Sequence, residues 1–184
     1  MIIAVTFLGI LMQVFAEECE LSPPAENFDP QIYLNIEHAY VTHSKEGPKE
    51  AVCREYRTTK NSDGTSKTVV TSDYKIGGAS RKSELDCTDT PKGTKPGQFS
   101  VECVVRGNTT KIQLETSVMA TDNKNYALLQ TCTKTGTGIA DNVLVLQTKK
   151  DSVEEGVKSV FKDANWSLEK WYSRKNIDCD DIKE

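Results

Sequence analysis

TDNKNYALLQTC, residues 121–132, is the stretch whose reading decides the fold. An acidic, amide-rich run gives way at Tyr126 to an apolar segment that ends in Cys132. Asp122 beside Asn123 is turn chemistry, because a short carboxylate accepts bonds from backbone N–H groups a few residues on. Tyr126 then opens a run of β-prone residues. The stretch therefore reads as a strand-to-strand turn, and the chain on either side should repeat the pattern.

From Ala39 onward it does. AYVTHS (39–44) breaks at Lys45-Glu46-Gly47-Pro48, and AVCREYRTT (51–59) breaks at Asn61-Ser62-Asp63-Gly64. TSKTVVTSDYKI (65–76) ends at Gly77-Gly78, and RKSELDCT (81–88) runs into a loop over 91–97. QFSVECVV (98–105), TKIQLETSVMA (110–120), NYALLQTCT (125–133) and NVLVLQTK (142–149) complete eight consecutive strands. Asn, Asp and Gly mark the turns between them. In QFSVECVV, Phe99, Val101 and Cys103 share one parity, and Gln98, Ser100 and Glu102 the other. Eight antiparallel strands in order predict an all-β, up-and-down barrel over about 39–150, which leaves no exposed sheet edge. A β-sandwich is the alternative, and the run of consecutive short hairpins favours the barrel.

Beyond residue 150 the period changes. Val153, Val157, Val160 and Phe161 recur at helical spacing, predicting one helix over about 152–164 packed outside the barrel. Asp151 or Ser152 is the expected N-cap, and Gly156 weakens the helix by up to about 1 kcal/mol. A polar tail, 165–184, follows.

Residues 1–16, MIIAVTFLGILMQVFA, carry no charge and end with Val14 and Ala16 at the spacing of small residues before a cleavage site. They read as a secretory signal peptide, too short to span a bilayer. Residues 17–184 then form one secreted domain, expected to be a soluble monomer. EECELSPPAENFDP (17–30) should be an irregular arm. A net charge of -4 argues against a nucleic-acid partner. Six cysteines, Cys19, Cys53, Cys87, Cys103, Cys132 and Cys179, imply three disulfides in a secreted chain, with fifteen connectivities open. With no CxxC pair and only His38 and His43, no metal site is expected. Asn108 and Asn165 head sequons that can carry glycans. No GxSxG, HExxH or phosphate loop occurs, and no cysteine is free as a nucleophile, so the chain is not expected to be an enzyme.

A secreted eight-stranded barrel with one following helix has the plan of a lipocalin, and TDNKNY resembles the turn those proteins carry between their sixth and seventh strands. The likeness extends to whole phrases: EECELSPP, VCREYRTTKNSDGT, VTSDYKIGG, GQFSVEC, TSVMATDNKNYALLQTCTKT, VLVLQTKK and the terminal WYSR. These resemble the pallidipin, triplatin and dipetalodipin group of triatomine salivary lipocalins, in the triabin/nitrophorin branch. The Gly-x-Trp of other lipocalins is absent: Ile36 and Glu37 stand there, with His38 near where Trp would fall. The arginine usual after the last strand gives way to Thr148-Lys149-Lys150.

The resemblance implies the pairs Cys19–Cys132 and Cys53–Cys179, leaving Cys87–Cys103 across one hairpin. It implies no haem, since the histidine that holds haem in nitrophorins has no counterpart in the fourth strand. It implies a salivary inhibitor of collagen-induced platelet aggregation that scavenges thromboxane A2 and related prostaglandins inside the barrel. Its site residues would be Arg54, Gln147 and Lys149. From the residues themselves, an outward Cys53 would turn Val52 and Arg54 inward, where an arginine needs an anionic partner, either a ligand carboxylate or Glu55. Which parity of the eighth strand faces inward is open. The competing expectations are scavenging of biogenic amines or ADP, loop-mediated inhibition of a coagulation or kallikrein–kinin protein, and direct binding of collagen.

Overall fold

Eight antiparallel strands close on themselves in the computed structural model, which describes residues 18–182. The expected signal segment lies outside the described residues. The strands are β1 (His38–Ser44), β2 (Arg54–Lys60), β3 (Ser66–Ile76), β4 (Ala79–Pro91), β5 (Gln98–Val105), β6 (Lys111–Thr121), β7 (Tyr126–Thr135) and β8 (Gly138–Gln147). Each pairs with the next, and β1 pairs with both β8 and β2 to complete the barrel. A two-residue β9 (Tyr172–Ser173) adds to β1 beside His43 and Ser44. Inward side chains of the alternating strands form one buried cluster that includes Val70, Val101, Val118, Leu129 and Leu144.

Several predicted boundaries move, two of them through contacts with other parts of the chain. AVCREYRTT was expected as one strand, yet Lys49–Cys53 forms a 3-10 turn and β2 begins only at Arg54. Cys53 is bonded to Cys179, and the Val52 carbonyl accepts a bond from Arg174 Nη1 at 2.8 Å. These tail contacts draw residues 51–53 out of the sheet and bury them. The helix was expected from 152 with Asp151 or Ser152 as cap. It runs as α2 (Glu155–Asp163), with Glu154 as N-cap and no capping bond from that side chain. Gln147 supplies the cap instead, its Oε1 accepting the Glu154 N–H at 2.7 Å while its Nε2 donates to Ser152 O at 3.0 Å.

Val157 and Phe161 of α2 are buried against Leu128, Val145 and Trp171 on the outside of the barrel. Burial of two such side chains contributes about 1.5–3 kcal/mol each. Gly156 has a packing role beyond its weak propensity. A Cβ there would lie 2.4 Å from the Tyr126 ring, so only glycine lets the helix rest on that tyrosine.

The TDNKNY turn anchors one end of the barrel. Asp122 Oδ1 accepts from the backbone N–H groups of Lys124, Asn125 and Tyr126 at 3.0, 2.7 and 3.2 Å. Burial alone would raise its pKa, but these bonds and one from Asn125 Nδ2 hold the carboxyl below its ordinary value. Asn123, at φ 62°, accepts from Asp29 N and donates to Asn27 O. It thereby docks the amino-terminal arm, which lacks regular structure until the single turn α1 (Pro30–Tyr33). Phe28 and Leu34 flank that turn, are buried in the core cluster, and close this end.

Three disulfides are formed, Cys19–Cys132, Cys53–Cys179 and Cys87–Cys103, and no cysteine among the described residues is free. The first ties the arm to β7, the second ties the start of β2 to the short α3 (Cys179–Ile182), and the third joins directly paired residues of β4 and β5. Closing the third loop contributes roughly 3 kcal/mol by the chain-entropy model.

Candidate ligand cavity

The barrel encloses a cavity of about 710 Å³, bounded at the closed end by Tyr33, Leu34 and Ile36 and at the other by Pro48, Glu50 and Ala51. That volume suits one small organic ligand. Its walls are mostly apolar, with Val70, Leu85, Val101, Leu114, Leu129 and Leu144 facing in, together with the Cys87–Cys103 pair. The inward set is the one that alternation in QFSVECVV picks out: Phe99, Val101 and Cys103.

Arg54 is the first residue of β2 and lies on the cavity wall, sharing its parity with Tyr56 and Thr58. Val52, expected inward beside it, is instead fully buried in the 3-10 turn under Arg174 and is not on the wall. Among the described residues, the Arg54 guanidinium makes no ion pair or hydrogen bond. Glu55, the alternative partner, faces the other side of the sheet. There its Oε2 lies 3.2 Å from both His38 Nε2 and Arg57 Nη2, and its Oε1 lies 3.8 Å from Arg174 Nη2.

The other two expected site residues are not brought to Arg54. On β8 the inward parity is that of Leu144 and Leu146, both on the wall, so Gln147 belongs to the opposite set. Gln147 borders the closed end of the cavity, but its amide is wholly used. Besides the two bonds to 152 and 154, Nε2 donates to Thr42 Oγ1 at 2.7 Å, and the residue is 1% exposed. Lys149 lies beyond the end of β8, is largely exposed, and approaches Glu154 Oε1 at 3.6 Å. Gln147 thus meets the cavity with its amide engaged in capping a helix, and Lys149 is a solvated ion-pair partner. Asn108 and Asn165 are both exposed, in the β5–β6 turn and just after α2.

Residue-by-residue reading missed most of the polar groups on the cavity wall, among them Tyr33, Tyr56, Asp73 and Asp89. Asp89 Oδ2 accepts from Ser66 Oγ at 3.0 Å and Thr68 Oγ1 at 2.6 Å. Burial raises its carboxyl above the ordinary value, against the pull of those two bonds. Burial likewise raises both phenols and the Asp89 charge adds to the rise, while at Tyr56 the neighbouring Arg54 charge opposes it. Parity with Arg54 would have found Tyr56. Asp89 was lost because the fourth strand was expected to stop at Thr88, whereas β4 continues to Pro91.

His38 and His43 lie off the cavity wall, and burial lowers the pKa of His43. Among the described residues no group of three His, Cys, Asp or Glu side chains is placed to hold a metal, and no helix is long and apolar enough to cross a membrane.

A family model described as Triabin matches residues 14–160. Pallidipin of Meccus pallidipennis is 64% identical, over 99% of this chain and 98% of its own. Dipetalodipin of Dipetalogaster maximus is 52% identical over 97% and 98%, and platelet inhibitor triplatin-2 of Triatoma infestans is 45% identical over 97% and 99%. Among solved structures, the tryptamine complex of the amine binding protein of Rhodnius prolixus has a TM-score of 0.68 at 16% identity, over 85% of this chain and 86% of that one. A mutant of LTBP1 in complex with leukotriene C4 has a TM-score of 0.58 at 20% identity, over 78% and 86%. At these identities the two structures establish the barrel fold alone.

Proposed function

This chain belongs to the triabin family, and on that footing we propose that it is a secreted salivary inhibitor of platelet aggregation that sequesters a prostanoid, thromboxane A2 foremost, inside the barrel. The observation that carries the reading is Arg54. A part-buried guanidinium on a largely apolar wall with no hydrogen bond or ion pair would be desolvated by any ligand that entered without bringing an anion. A lipid carboxylate supplies that charge, and arginine's planar fork can take it with two parallel bonds. The rest of the cavity suits the hydrocarbon body. Two of the comparisons are in keeping with this. A relative bears the name platelet inhibitor, and a protein of similar fold is described holding leukotriene C4, itself an eicosanoid acid.

Inhibition by sequestration needs no catalysis. The protein lowers the free concentration of a mediator that platelets release to recruit one another, so it must match the mediator mole for mole. Isothermal titration of the secreted chain with a stable thromboxane mimic tests this. Tight one-to-one binding is expected, weakened about 10- to 100-fold by Arg54→Ala, the loss of one charge-assisted bond set. Absence of binding, together with inhibition of a coagulation protease or direct adhesion to collagen, would move the function to the loops and discard the proposal.

A further inference from the structure

The open end of the barrel carries a concentration of charge that binding inside the cavity does not use. Strand alternation brings the β1–β2, β3–β4, β5–β6 and β7–β8 turns to the end bounded by Pro48, Glu50 and Ala51. Three of those turns, residues 75–82, 106–111 and 134–138, hold Lys75, Arg81, Lys82, Arg106, Lys111 and Lys134 and no aspartate or glutamate. All six side chains belong to exposed residues. The fourth turn, 45–53, is neutral, with Lys45 and Lys49 against Glu46 and Glu50. In a chain whose net charge is -4, the turns of this rim are basic.

The β3–β4 hairpin adds an apolar point to it. β2 begins opposite Ser72 and β5 ends opposite Leu85, so residues 73–76 and 79–82 pair only with each other. At about 3.3 Å per residue, the ribbon stands about 13 Å beyond the start of β2. Its tip, Ile76-Gly77-Gly78-Ala79, is exposed throughout, and Ile76 at 63% is the most exposed large apolar side chain among the described residues. Behind the tip, Lys75 reaches Asp181 at 2.9 Å and Lys82 reaches Glu84 at 3.2 Å. Arg106 and Lys111 pair with Glu84, Asp86 and Glu102 on the strands below. Such solvated pairs contribute little and yield readily to another anion. Arg81 and Lys134 meet no carboxylate among the described residues, and Arg81 bonds only the Ser80 carbonyl.

An apolar side chain held out in water, with cations set just behind it, has the chemistry of an interfacial anchor. The tip enters the boundary between headgroups and acyl chains, and the cations meet anionic phosphates. A sulfated glycan or an acidic protein surface would answer the charges but would leave Ile76 in water. Gly77 and Gly78, both at positive φ, make the turn without adding charge or bulk beside that isoleucine. From this we infer that the open rim docks on anionic phospholipid bilayers, with Ile76 inserted and Lys75, Arg81 and Lys82 at the headgroups. The contact is a reversible one with the surface, and it does not depend on what the barrel holds. Its consequence is that the mouth of the cavity faces the layer into which lipids partition.

Co-sedimentation of the full secreted chain with vesicles tests this, comparing equal parts phosphatidylserine and phosphatidylcholine with phosphatidylcholine alone. Asn108 lies on the same rim, so the secreted form, with whatever glycan that asparagine carries, is the one to use. Binding to the anionic vesicles is expected, weakening as salt rises, and at least about tenfold weaker to the neutral ones. Ile76→Ser should weaken it about tenfold, and Arg81→Ser with Lys82→Ser about 20-fold, at about fivefold for each charge. Lys92→Ser with Lys95→Ser removes the same charge from the β4–β5 turn at the opposite end and should change binding by less than about twofold. Thermal unfolding of each variant shows that it is folded. Binding to neither vesicle, equal binding to both, or equal loss from the two double variants would overturn the inference. Retention on heparin that requires Arg81 and Lys82, without vesicle binding, would make the rim a glycan site and overturn it as well. An Ile76→Ser protein that binds anionic vesicles like the wild type would remove the inserted tip and, with it, the bilayer as partner.

Discussion

Arg54 on β2 and Gln147 on β8 were both expected to touch ligand, and the barrel treats them in opposite ways. Gln147 is buried with all of its amide engaged, bonding Thr42, residue 152 and the first turn of α2. Arg54 faces the cavity with nothing among the described residues bonded to its guanidinium. The difference separates a residue that holds the scaffold from the one to which the proposed function assigns the ligand. A polar side chain whose bonds are complete holds the protein together, whereas one left incomplete on a cavity wall is held ready for something else. β2 alone repeats the lesson, since Glu55, next to Arg54 in sequence, faces outward and draws in His38, Arg57 and Arg174.

This contrast can be broken by experiment, and the largest effect belongs to the scaffold. Gln147→Ala removes three buried bonds and strands the Glu154 N–H, and should cost about 3 kcal/mol in denaturant unfolding. A stable Gln147→Ala protein with lost ligand binding would reverse the assignment. Asp122→Ala should cost about 1 kcal/mol at pH 7, as for the loss of a capping carboxylate. Because the folded state depresses this carboxyl, its contribution is present above the unfolded value near 3.9 and is lost as pH falls through the lower folded value. The stability gap between wild type and variant should therefore close on acidification. Arg54→Leu should leave the ligand-free protein as stable as wild type or up to about 1 kcal/mol more so, since it removes an uncompensated charge. That is the opposite sign to Gln147. Lys149→Ala should shift neither stability nor ligand affinity measurably, as expected for an exposed ion pair.

Most of the barrel was legible because alternation has only two answers for each strand. Once Phe99, Val101 and Cys103 share a face, the inner wall of β5 follows. Where the reading failed, the cause was tertiary. Val52 looked like strand sequence, but a disulfide and an arginine more than 120 residues away fold it into a turn. Gly156 looked like a flaw in a helix until Tyr126 was found against it. Ser152 looked like an N-cap, but a glutamine from the preceding strand takes that role. The site divides in the same way. Arg54 could be placed inward by parity from Cys53, although that cysteine proves not to lie in a strand. Asp89 could not be placed, because no turn signal shows that β4 passes beyond Thr88, and Tyr33 reaches the cavity only through the path of the arm.

Arg174 gives the tail a bearing on the cavity. From outside the barrel it bonds the Val52 carbonyl at 2.8 Å, reaches the Arg54 carbonyl at 3.5 Å and lies over the Tyr40 ring, while Cys179 anchors the same turn covalently. The backbone that carries the cavity's unpaired cation is thus fastened from the far end of the chain. Trimming residues from the carboxyl terminus up to Cys179 would loosen that fastening without touching the barrel wall. The carboxyl-terminal segment, which lines no part of the cavity, thus sets the position of the Arg54 backbone from the outside of the barrel.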